Sequence, residues 1–348
     1  MKTKIPQMLL VCLLLLLSSV VVLGMYCRSS DGKKITVAFY NTENLFDTID
    51  APYGGDDDFA PKGKNAWTPE RYQKKLDNIY KVLSGILGGK KVPALIGLSE
   101  VENETVLKDL IKNTPIADNY GIVHYDSPDE RGIDVALLYD PTYFTLTASE
   151  PIKVEFDFEP SDHTRDILYV QGKLGKQDVH VFVNHWPSRR EGMEKSSPKR
   201  EAAAKIVQTK VSSILQKDGN AKIIIMGDLN DHPDNKSVAE ILKAKNDCSK
   251  PDAAQLYDLS AQFQQKGLGT HRYEGKWGVL DHIIVSGALL QNTKGLKTSP
   301  KDVHIFKQDW MMYNDTRYGG KSPSATYGGT KYYGGYSDHL PTYMTLRY

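Results

Sequence analysis

A β-branched run that stops at two polar residues constrains the fold of this 348-residue chain more than any other feature. In Ile223-Ile-Ile-Met-Gly-Asp-Leu-Asn230, four apolar residues precede Asp228 and Asn230. Short apolar runs bounded by turn residues indicate buried strands. The run therefore predicts a strand that delivers a carboxylate and an amide to one edge of a sheet. In isolation, Gly-Asp-Leu-Asn is more typical of an ordinary turn after a buried strand, and the other motifs of the chain are what favour a site.

Strands and helices alternate early in the chain, whereas its middle is strand after strand. Thr68-Pro69-Glu70 predicts a helix start and Gly88-Gly89 its end. A second helix is predicted over residues 198–215. This order favours a mixed sheet system flanked by helices, in one α/β domain covering residues 31–348. Further strands are predicted over residues 35–40, 94–98, 121–125, 133–139, 167–174 and 179–184.

The N-terminus has the pattern of a targeting segment. Lys2 and Lys4 precede an uncharged apolar run of 16 residues, 8–23. A run of this length is typical of a secretory signal peptide, with an uncleaved N-terminal anchor as the alternative. Residues 1–30 are therefore predicted to direct export of the chain. The exported chain would be periplasmic, extracellular or anchored to a membrane. Cys27 stands where a bacterial lipoprotein is acylated, although Tyr26 is large for such a processing site.

The net charge and the cysteine content limit which partners the chain can bind tightly and whether it can form a disulfide. The net charge is +1, and residues 1–30 hold three cations and no acids, which leaves residues 31–348 at about −2. Tight binding to a long polyanion, independent of its sequence, is therefore not expected. If Cys27 is modified, only Cys248 remains in the mature chain and no intramolecular disulfide can form.

Polar side chains follow several predicted strands, not just one. In a sheet system such residues can converge on one rim although they lie far apart in the chain. Hard divalent cations prefer carboxylate and amide oxygens, and phosphoester cleavage needs a metal together with a well-oriented histidine. The pattern therefore predicts metal-assisted phosphoester hydrolysis. The residues concerned are Asn41, Glu100, His185, Asp228, Asn230, Asp281, Asp338 and His339.

Six segments, taken in order, resemble the motifs of the endonuclease/exonuclease/phosphatase superfamily, and chiefly its exported bacterial branch of uncertain substrate. The resemblance covers residues 34–348. It implies a DNase I-like four-layer α/β sandwich, with two mixed β-sheets packed face to face, helices outside, and a Mg²⁺ or Mn²⁺ site at one edge. The segments are Phe39-Tyr-Asn-Thr-Glu-Asn-Leu-Phe46, Leu98-Ser-Glu-Val-Glu102, Asn184-His-Trp-Pro-Ser-Arg189, Gly227-Asp-Leu-Asn230, Leu280-Asp281 and Ser337-Asp-His339.

The resemblance also implies a role for each matched residue. Asp228 would activate the attacking water, and Asn230 would hold that water or a phosphate oxygen. His339 would face the phosphate, while Asp281 accepts a hydrogen bond from its other ring nitrogen and thereby fixes its tautomer. The metal would be bound by Asn41, Glu100 and Asp338.

A second histidine, His185, resembles the one found in the nuclease and phosphodiesterase branches. Asp134 is the candidate for orienting it, and Arg131 could supply positive charge to the transition state. Arg189 belongs to a basic group after His185 that fits either phosphate binding or a charged loop. Of the other histidines, including His271, none is assigned to catalysis.

The leading expectation is an exported Mg²⁺-dependent phosphoesterase, a nuclease or phosphodiesterase that cleaves P–O bonds by direct attack of water. A phosphomonoesterase acting on sugar, inositol or lipid headgroup phosphates is the alternative, and an inactive binding module of the same fold is a second. The expected partner is a phosphate ester, with nucleic acid included. Membrane contact is expected only through residues 1–30 or a lipid on Cys27, and the chain is expected to be a monomer. Residues 313–336 are expected to form a long ordered loop beside the site.

Overall fold

The computed structural model describes residues 33–49, 55, 57–116, 119–291 and 295–348. Within them, Ile35–Tyr348 form one compact unit. The segment predicted to be a signal peptide or anchor, with Cys27, lies outside the described residues. No helix in the described part of the chain is long and apolar enough to cross a membrane.

Eighteen strands and four α-helices make up the described fold. The strands are β1 Lys34–Leu45, β2 Leu95–Val101, β3 Gly121–His124, β4 Asp134–Tyr139, β5 Phe144–Ile152, β6 Ile167–Leu174, β7 Gln177–His185, β8 Lys222–Asp228, β9 Leu256–Asp258, β10 His271–Tyr273, β11 Lys276–Gly278, β12 Asp281–Ser286, β13 Val303–Ile305, β14 Met312–Asn314, β15 Lys321–Pro323, β16 Tyr327–Gly328, β17 Lys331–Tyr332 and β18 Thr342–Arg347. The helices are α1 Pro69–Gly85, α2 Glu104–Lys112, α3 Met193–Lys217 and α4 Ala261–Gln265.

Two six-stranded mixed sheets form the centre of the fold. The first has the order β13-β18-β1-β2-β4-β3 and the second the order β5-β6-β7-β8-β12-β9. β1 pairs in parallel with β2, and β7 in parallel with β8, while β12 runs antiparallel to β8. The parallel pairs place the C-terminal ends of neighbouring strands at the same edge of each sheet.

Side-chain alternation along the strands builds a core between the sheets and a second layer outside each of them. Ile224 and Met226 of β8 pack in the inter-sheet core, which also contains Phe39 of β1. Ile223 and Ile225 point the opposite way and pack against α3. β8 is therefore apolar on both faces because both faces are covered.

Helices α1 and α2 cover the outer face of the first sheet in the same manner, and α3 covers the second. Thr68 caps the start of α1 by accepting a hydrogen bond from the Arg71 N–H, and Pro69 occupies the first turn. The predicted four-layer α/β sandwich is thereby confirmed. One helix differs from expectation, since α3 begins at Met193 and contains Pro198, which was predicted to open it.

The ends of β1 and β2 are irregular, and both strands continue beyond their predicted ends through bulges. The register of β1 against β2 shifts between Asn41 and Leu45, and the register of β2 against β4 shifts around Glu100. Bulges redirect side chains at sheet edges and next to active sites. Apolar patterning could not predict them, because the bulged residues interrupt the alternation on which it depends.

Residues 313–336 fold into β14–β15 and β16–β17 hairpins instead of an irregular loop. Part of this segment is hydrogen-bonded to α1. Lys75 donates to the Thr326 hydroxyl and the Tyr336 carbonyl, and Asn78 donates to the Gly335 carbonyl. This segment is ordered, as predicted, but it is fixed to α1.

Candidate active site

Three predicted site residues lie side by side across the rim of the second sheet. His185 ends β7 and pairs in register with Asp228, which ends β8. Asp281 begins β12 and pairs with Asp228 from the other side. A histidine and two carboxylates therefore converge although they are separated by up to 96 positions in the chain.

Gly227 has a steric reason to precede Asp228. A Cβ at this position would lie 2.4 Å from the Asn184 carbonyl oxygen on β7. Only glycine allows β7 and β8 to approach this closely. The glycine of the Gly-Asp-Leu-Asn run thus sets the spacing between His185 and Asp228.

One hydrogen bond connects the rims of the two sheets. Asn41 of β1 donates from its side-chain nitrogen to Asp228 Oδ2 at 3.1 Å, and both residues are buried. The Asn41 amide oxygen accepts the Glu43 backbone N–H at 2.9 Å. Asn41 therefore bridges the sheets and also holds the β1 bulge.

His339 is held by two carboxylates. Its Nδ1 is 2.8 Å from Asp281 Oδ2, and its Nε2 is 3.7 Å from Asp228 Oδ2. Burial alone would lower the pKa of this imidazole, but Asp281 and Asp228 outweigh burial and raise its pKa well above the usual value. His339 is consequently protonated near neutral pH.

Asp228 is buried with His339 on one side and Asp281 on the other. Burial, with a contribution from the Asp281 charge, raises the pKa of Asp228 to about 7. The Asn230 backbone N–H donates to Asp228 Oδ1 at 2.9 Å, and the Asn230 side chain donates to the Trp186 carbonyl. Asp228 can therefore take up or release a proton in the pH range where a general base works best.

Glu100 occupies the β2 bulge in a left-handed conformation, with φ of 57°. Arg131 lies 3.2 Å from Glu100 Oε2, which also accepts the Asn44 backbone N–H at 3.0 Å. Burial raises the pKa of Glu100, but the Arg131 charge reverses that effect and lowers the pKa to about 2. Glu100 is therefore a permanent anion at the rim, as a metal ligand must be.

His185 points between the two anions, with its Nε2 3.8 Å from Glu100 and 3.7 Å from Asp228. Burial and the Arg165 charge keep its pKa well below the usual value. Its Nδ1 is buried without a hydrogen-bond partner in the described structure. Asp228 thus lies between two imidazoles, the neutral His185 and the protonated His339.

The prediction that Asp134 orients His185 is wrong. Asp134 Oδ2 lies 3.2 Å from His124 Nε2, and Oδ1 accepts the Ser127 backbone N–H. The group that holds the His185 segment is Arg165, which donates to the carbonyls of His185 and Trp186. A backbone anchor of this kind leaves no signature in the sequence.

The structure places Arg189 at the cavity wall but uses its guanidinium for local structure. It donates to the Asn230 carbonyl and to the side chains of Asp231 and Asn235. The exposed Arg190 also lines the cavity and has no partner among the described residues. Arg190 is therefore better placed than Arg189 to meet a phosphate.

His271, which the sequence left unassigned, belongs to the rim. It forms an isolated bridge to His339, the two ring centroids lie 4.7 Å apart, and its Nε2 is 3.9 Å from Asp338 Oδ2. Burial and the His339 charge lower its pKa to about 4. His271 contributes a neutral nitrogen beside a charged one. No local pattern could reveal it, since the bridge joins residues on separate segments.

These residues line a cleft of about 790 Å³. Its outer wall is the β10–β11 hairpin, which contributes Tyr273, Lys276 and Trp277. Residues 313–336 do not line it. They support the hairpin from behind, where Arg272 donates to the Ser322 hydroxyl and to the Gly319 carbonyl. The 313–336 segment therefore supports the wall of the cleft and does not itself line it.

Glu43 explains how that segment is fastened to the rim. Its carboxylate accepts the Thr326 backbone N–H at 2.7 Å and lies 3.8 Å from the buried Lys75 ammonium. Burial raises the pKa of Glu43 to about 7, although Lys75 opposes this. Glu43 thus has a structural role at the site, and it does not line the cleft.

The donor set fits a divalent cation. Glu100, Asp338, Asp228 and Asp281 put four carboxyl groups at one rim, and one oxygen of Asp281 is buried without a partner. Two groups of donors lie close enough to share an ion: Asp338 with His271 and His339, and Asp228 with Asp281 and His339. Oxygen-rich sites of this kind suit Mg²⁺ or Mn²⁺. Asn41 is less available, because both ends of its amide are already hydrogen-bonded.

A family model described as the Endonuclease/Exonuclease/phosphatase family matches residues 36–348. The chain belongs to this family. Its members are metal-dependent phosphoester hydrolases, and the chain is an enzyme of this type. No curated protein matches its sequence.

Solved structures share the fold at low sequence identity. The mannosyl-6-phosphatase of Bacteroides thetaiotaomicron is 17% identical with a TM-score of 0.55, and the alignment covers 90% of this chain and 100% of that one. D. rerio TDP2 complexed with single strand DNA product is 14% identical with a TM-score of 0.54, over 91% and 100% of the two chains. The human Nocturnin catalytic domain with bound sulfate is 16% identical with a TM-score of 0.52, over 90% and 94%. These neighbours establish the DNase I-like fold alone.

Proposed function

We propose that this enzyme is an exported Mg²⁺-dependent phosphodiesterase or nuclease that hydrolyses P–O bonds by direct attack of water. The observation that carries the proposal is the pair of imidazoles beside Asp228. His339 is kept protonated by Asp281, whereas His185 is kept neutral by burial. Groups whose pKa values are pushed apart in one cleft are typical of acid–base catalysis. The neutral His185 can meet the leaving oxygen of a diester, while Asp228 serves the attacking water and His339 serves the phosphoryl group.

The described contacts suggest a role for each side chain. Asp228 accepts the proton of the attacking water, and Asn230 lies beside it to orient that water. His339 donates a hydrogen bond to the phosphoryl group, where negative charge develops. Arg190 and Arg131 add positive charge at the cleft. The reacting phosphate would lie near His339 Nε2 and Asp228, where these groups converge.

A bound Mg²⁺ or Mn²⁺ would neutralise phosphoryl oxygens and orient the ester. Glu100 and Asp338 are the residues that would hold it, with Asn41 behind them. Arg131 already neutralises Glu100 at 3.2 Å in the described structure. Binding a cation at Glu100 therefore requires Arg131 to share or release that carboxylate.

Purified protein should be assayed in parallel with Mg²⁺ and with EDTA. The substrates are bis-p-nitrophenyl phosphate, p-nitrophenyl phosphate, duplex and single-stranded DNA, RNA, sphingomyelin and inositol phosphates. Diester turnover should require the metal and should vanish in His339→Ala and Asp228→Asn. His180→Ala, which removes a half-buried histidine of β7 far from the cleft, is the matched control. Unchanged turnover in both cleft variants would refute the mechanism.

Phosphomonoester hydrolysis is the second candidate. Two observations favour it: the charge of residues 31–348 is close to neutral, and a structural neighbour is a mannosyl-6-phosphatase. A preference for p-nitrophenyl phosphate or a sugar phosphate over the diester would establish this alternative. Absence of turnover on every substrate, with a folded protein, would indicate a binding module.

Export by residues 1–30, with or without a lipid on Cys27, is also proposed from the sequence. Cell fractionation and metabolic labelling with a fatty acid, compared between the natural chain and Cys27→Ser, test it. Label that persists in Cys27→Ser excludes acylation at that residue. The monomeric state is proposed as well, and light scattering after size exclusion measures it directly.

A further inference from the structure

The catalytic cleft has room for much more than a phosphate group. Its volume of about 790 Å³ lies within the range of about 300–1,000 Å³ that is typical of pockets for small-molecule ligands. The groups that carry the proposed chemistry lie at the rims of the two sheets, where the β10–β11 hairpin contributes His271. The rest of this hairpin forms the outer wall of the cleft and has no part in that chemistry. The hairpin is therefore the wall that can select the group attached to the phosphate.

Strand pairing decides which side chains of the hairpin face the cleft. Tyr273 of β10 pairs with Lys276 of β11, and His271 pairs with Gly278. Residues two apart on a strand, and residues that are directly paired, place their side chains on the same face of a hairpin. His271, Tyr273 and Lys276 therefore share one face, and all three line the cleft. Arg272, which alternates with them, does not line it.

Tyr273 presents an exposed ring on a rigid support. It is 69% exposed, although it lines the cleft. The turn of the hairpin, at Glu274 and Gly275, has φ of 47° and 80°, which is typical of a tight type I′ turn. From behind, the Arg272 guanidinium donates to the Ser322 hydroxyl at 2.8 Å. A ring that is held in place before a ligand arrives loses little conformational entropy on binding, so Tyr273 is suited to be a contact surface.

Tyr273 lies further from the phosphate-binding groups than His271 does. The ring centroids of His271 and His339 are 4.7 Å apart, and His339 is the group proposed to face the phosphoryl oxygens. Two residues along a strand span about 7 Å, so the Tyr273 side chain begins about 7 Å beyond His271 on the same face. A base joined to a phosphate through a pentose lies at a comparable separation from that phosphate. The spacing along β10 thus fits a nucleotide whose phosphate lies at His339 and whose base lies at Tyr273.

The charges beside Tyr273 favour a nucleotide over a neutral sugar as the attached group. Lys276 is paired with Tyr273, and Arg190 follows β7; both cations are exposed and line the cleft. Cationic side chains for the phosphate backbone, next to aromatic rings on which bases stack, are the pattern of proteins that bind single-stranded nucleic acid. The hairpin adds a single carboxylate, Glu274, to accept hydrogen bonds from the hydroxyl groups of a sugar or inositol. The wall is therefore better suited to a base than to a polyol.

We propose that Tyr273 determines the substrate preference of the cleft by stacking on the base of a nucleoside joined to the scissile phosphate. The inference rests on the proposed phosphodiester hydrolysis and specifies its substrate as a nucleoside phosphodiester. Lys276 would contact the neighbouring phosphate. Stacking on an aromatic side chain tolerates every base, because each base has a flat π-face. The enzyme is therefore expected to select for the presence of a base and not for its identity.

The test measures binding directly and does not depend on turnover. The full-length protein in EDTA should be titrated by calorimetry with thymidine 5′-monophosphate and with 2-deoxyribose 5-phosphate, which lacks only the base. The nucleotide should bind about 10–100 times more tightly. Tyr273→Ala should remove most of this difference, whereas Tyr273→Phe, which retains a flat ring, should preserve it. Tyr313→Ala is the matched control, because it removes an exposed tyrosine that does not line the cleft, and it should preserve the difference.

Kinetics with Mg²⁺ on a short oligothymidine provide the second readout. Tyr273→Ala should raise KM by about 10–100 times and change kcat much less, since the lost contact is made equally in the bound substrate and in the transition state. Equal affinity for the two ligands, or a preference for the nucleotide that survives Tyr273→Ala, would overturn the inference even if diesters are hydrolysed. Binding of the nucleotide through Tyr273 in a protein that hydrolyses no ester would support the stacking site and refute the proposed function instead.

Discussion

Two buried Asp–His pairs on neighbouring residues of β12 allow a controlled test of the active site. Asp281 accepts from His339 Nδ1 at 2.8 Å, and Asp258 lies at the same 2.8 Å from His282 Nδ1. Only the first pair faces the cleft. Replacing each aspartate with asparagine removes one negative charge from an equivalent geometry, so the comparison separates catalysis from stability.

The size of the effect follows from the charged hydrogen bond. Such a bond stabilises its partners by about 1.5–3 kcal/mol, and one pKa unit corresponds to about 1.4 kcal/mol. In Asp281→Asn the raised pKa of His339 should therefore fall by about 1–2 units. If protonated His339 is the active form, activity is lost as pH rises through that pKa. The loss should begin at lower pH in the variant, and above both pKa values the rate should be about 10–100 times lower.

The assay is a pH–rate profile of Mg²⁺-dependent diester hydrolysis, combined with urea unfolding. Asp258→Asn should lose about 1.5–3 kcal/mol of stability, because His282 is buried and the charge of Asp258 holds its pKa above the usual value against the effect of burial. The alkaline limb of the pH–rate profile of Asp258→Asn should coincide with that of the unmodified enzyme. An unshifted limb in Asp281→Asn, or an equal shift in Asp258→Asn, would refute the role assigned to His339.

Three further changes probe the rest of the rim. Lys75→Met should destabilise the protein by about 3–5 kcal/mol in urea unfolding, because it leaves the buried Glu43 carboxylate unpaired, and adding Glu43→Gln should recover most of the loss. Arg131→Met should raise the pKa of Glu100 from about 2 towards 4.5. When the solution is acidified, the variant should therefore lose bound Mn²⁺ at a higher pH than the unmodified enzyme does, as measured by electron paramagnetic resonance. His271→Ala should lower kcat/KM by about 10–100 times with little change in Tm, since it removes a hydrogen-bonding group from the cleft.

The sequence predicted the rim because its members follow apolar strands. His185, Asp228 and Asp281 are adjacent in space since strand pairing aligns the ends of β7, β8 and β12. The fold class was equally accessible, because strands that are apolar on both faces require cover on both sides. These inferences depend on the local apolar pattern and on one general rule, that paired strands bring their ends together at the edge of a sheet.

The groups that the sequence missed depend on contacts between distant segments. His271 reaches the site through a hairpin that meets His339, and Asp134 was assigned to His185 although His124 is its neighbour. Arg189 was grouped with the phosphate-binding residues, whereas Asp231 and Asn235 occupy its guanidinium. A single sequence shows which side chains carry charge. It does not show which partner neutralises that charge.

Backbone conformation and side-chain chemistry at the rim are linked. Asn44 and Asn230 adopt left-handed conformations, with φ of 56° and 50°, which asparagine populates more readily than most residues other than glycine. The Asn44 N–H donates to Glu100, and the Asn230 N–H donates to Asp228. The carboxylates expected to act on the substrate thus also hold the backbone that directs side chains into the cleft. A change at either carboxylate therefore removes a chemical group and loosens the geometry around it. Its kinetic effect consequently exceeds what loss of the charge alone would cause.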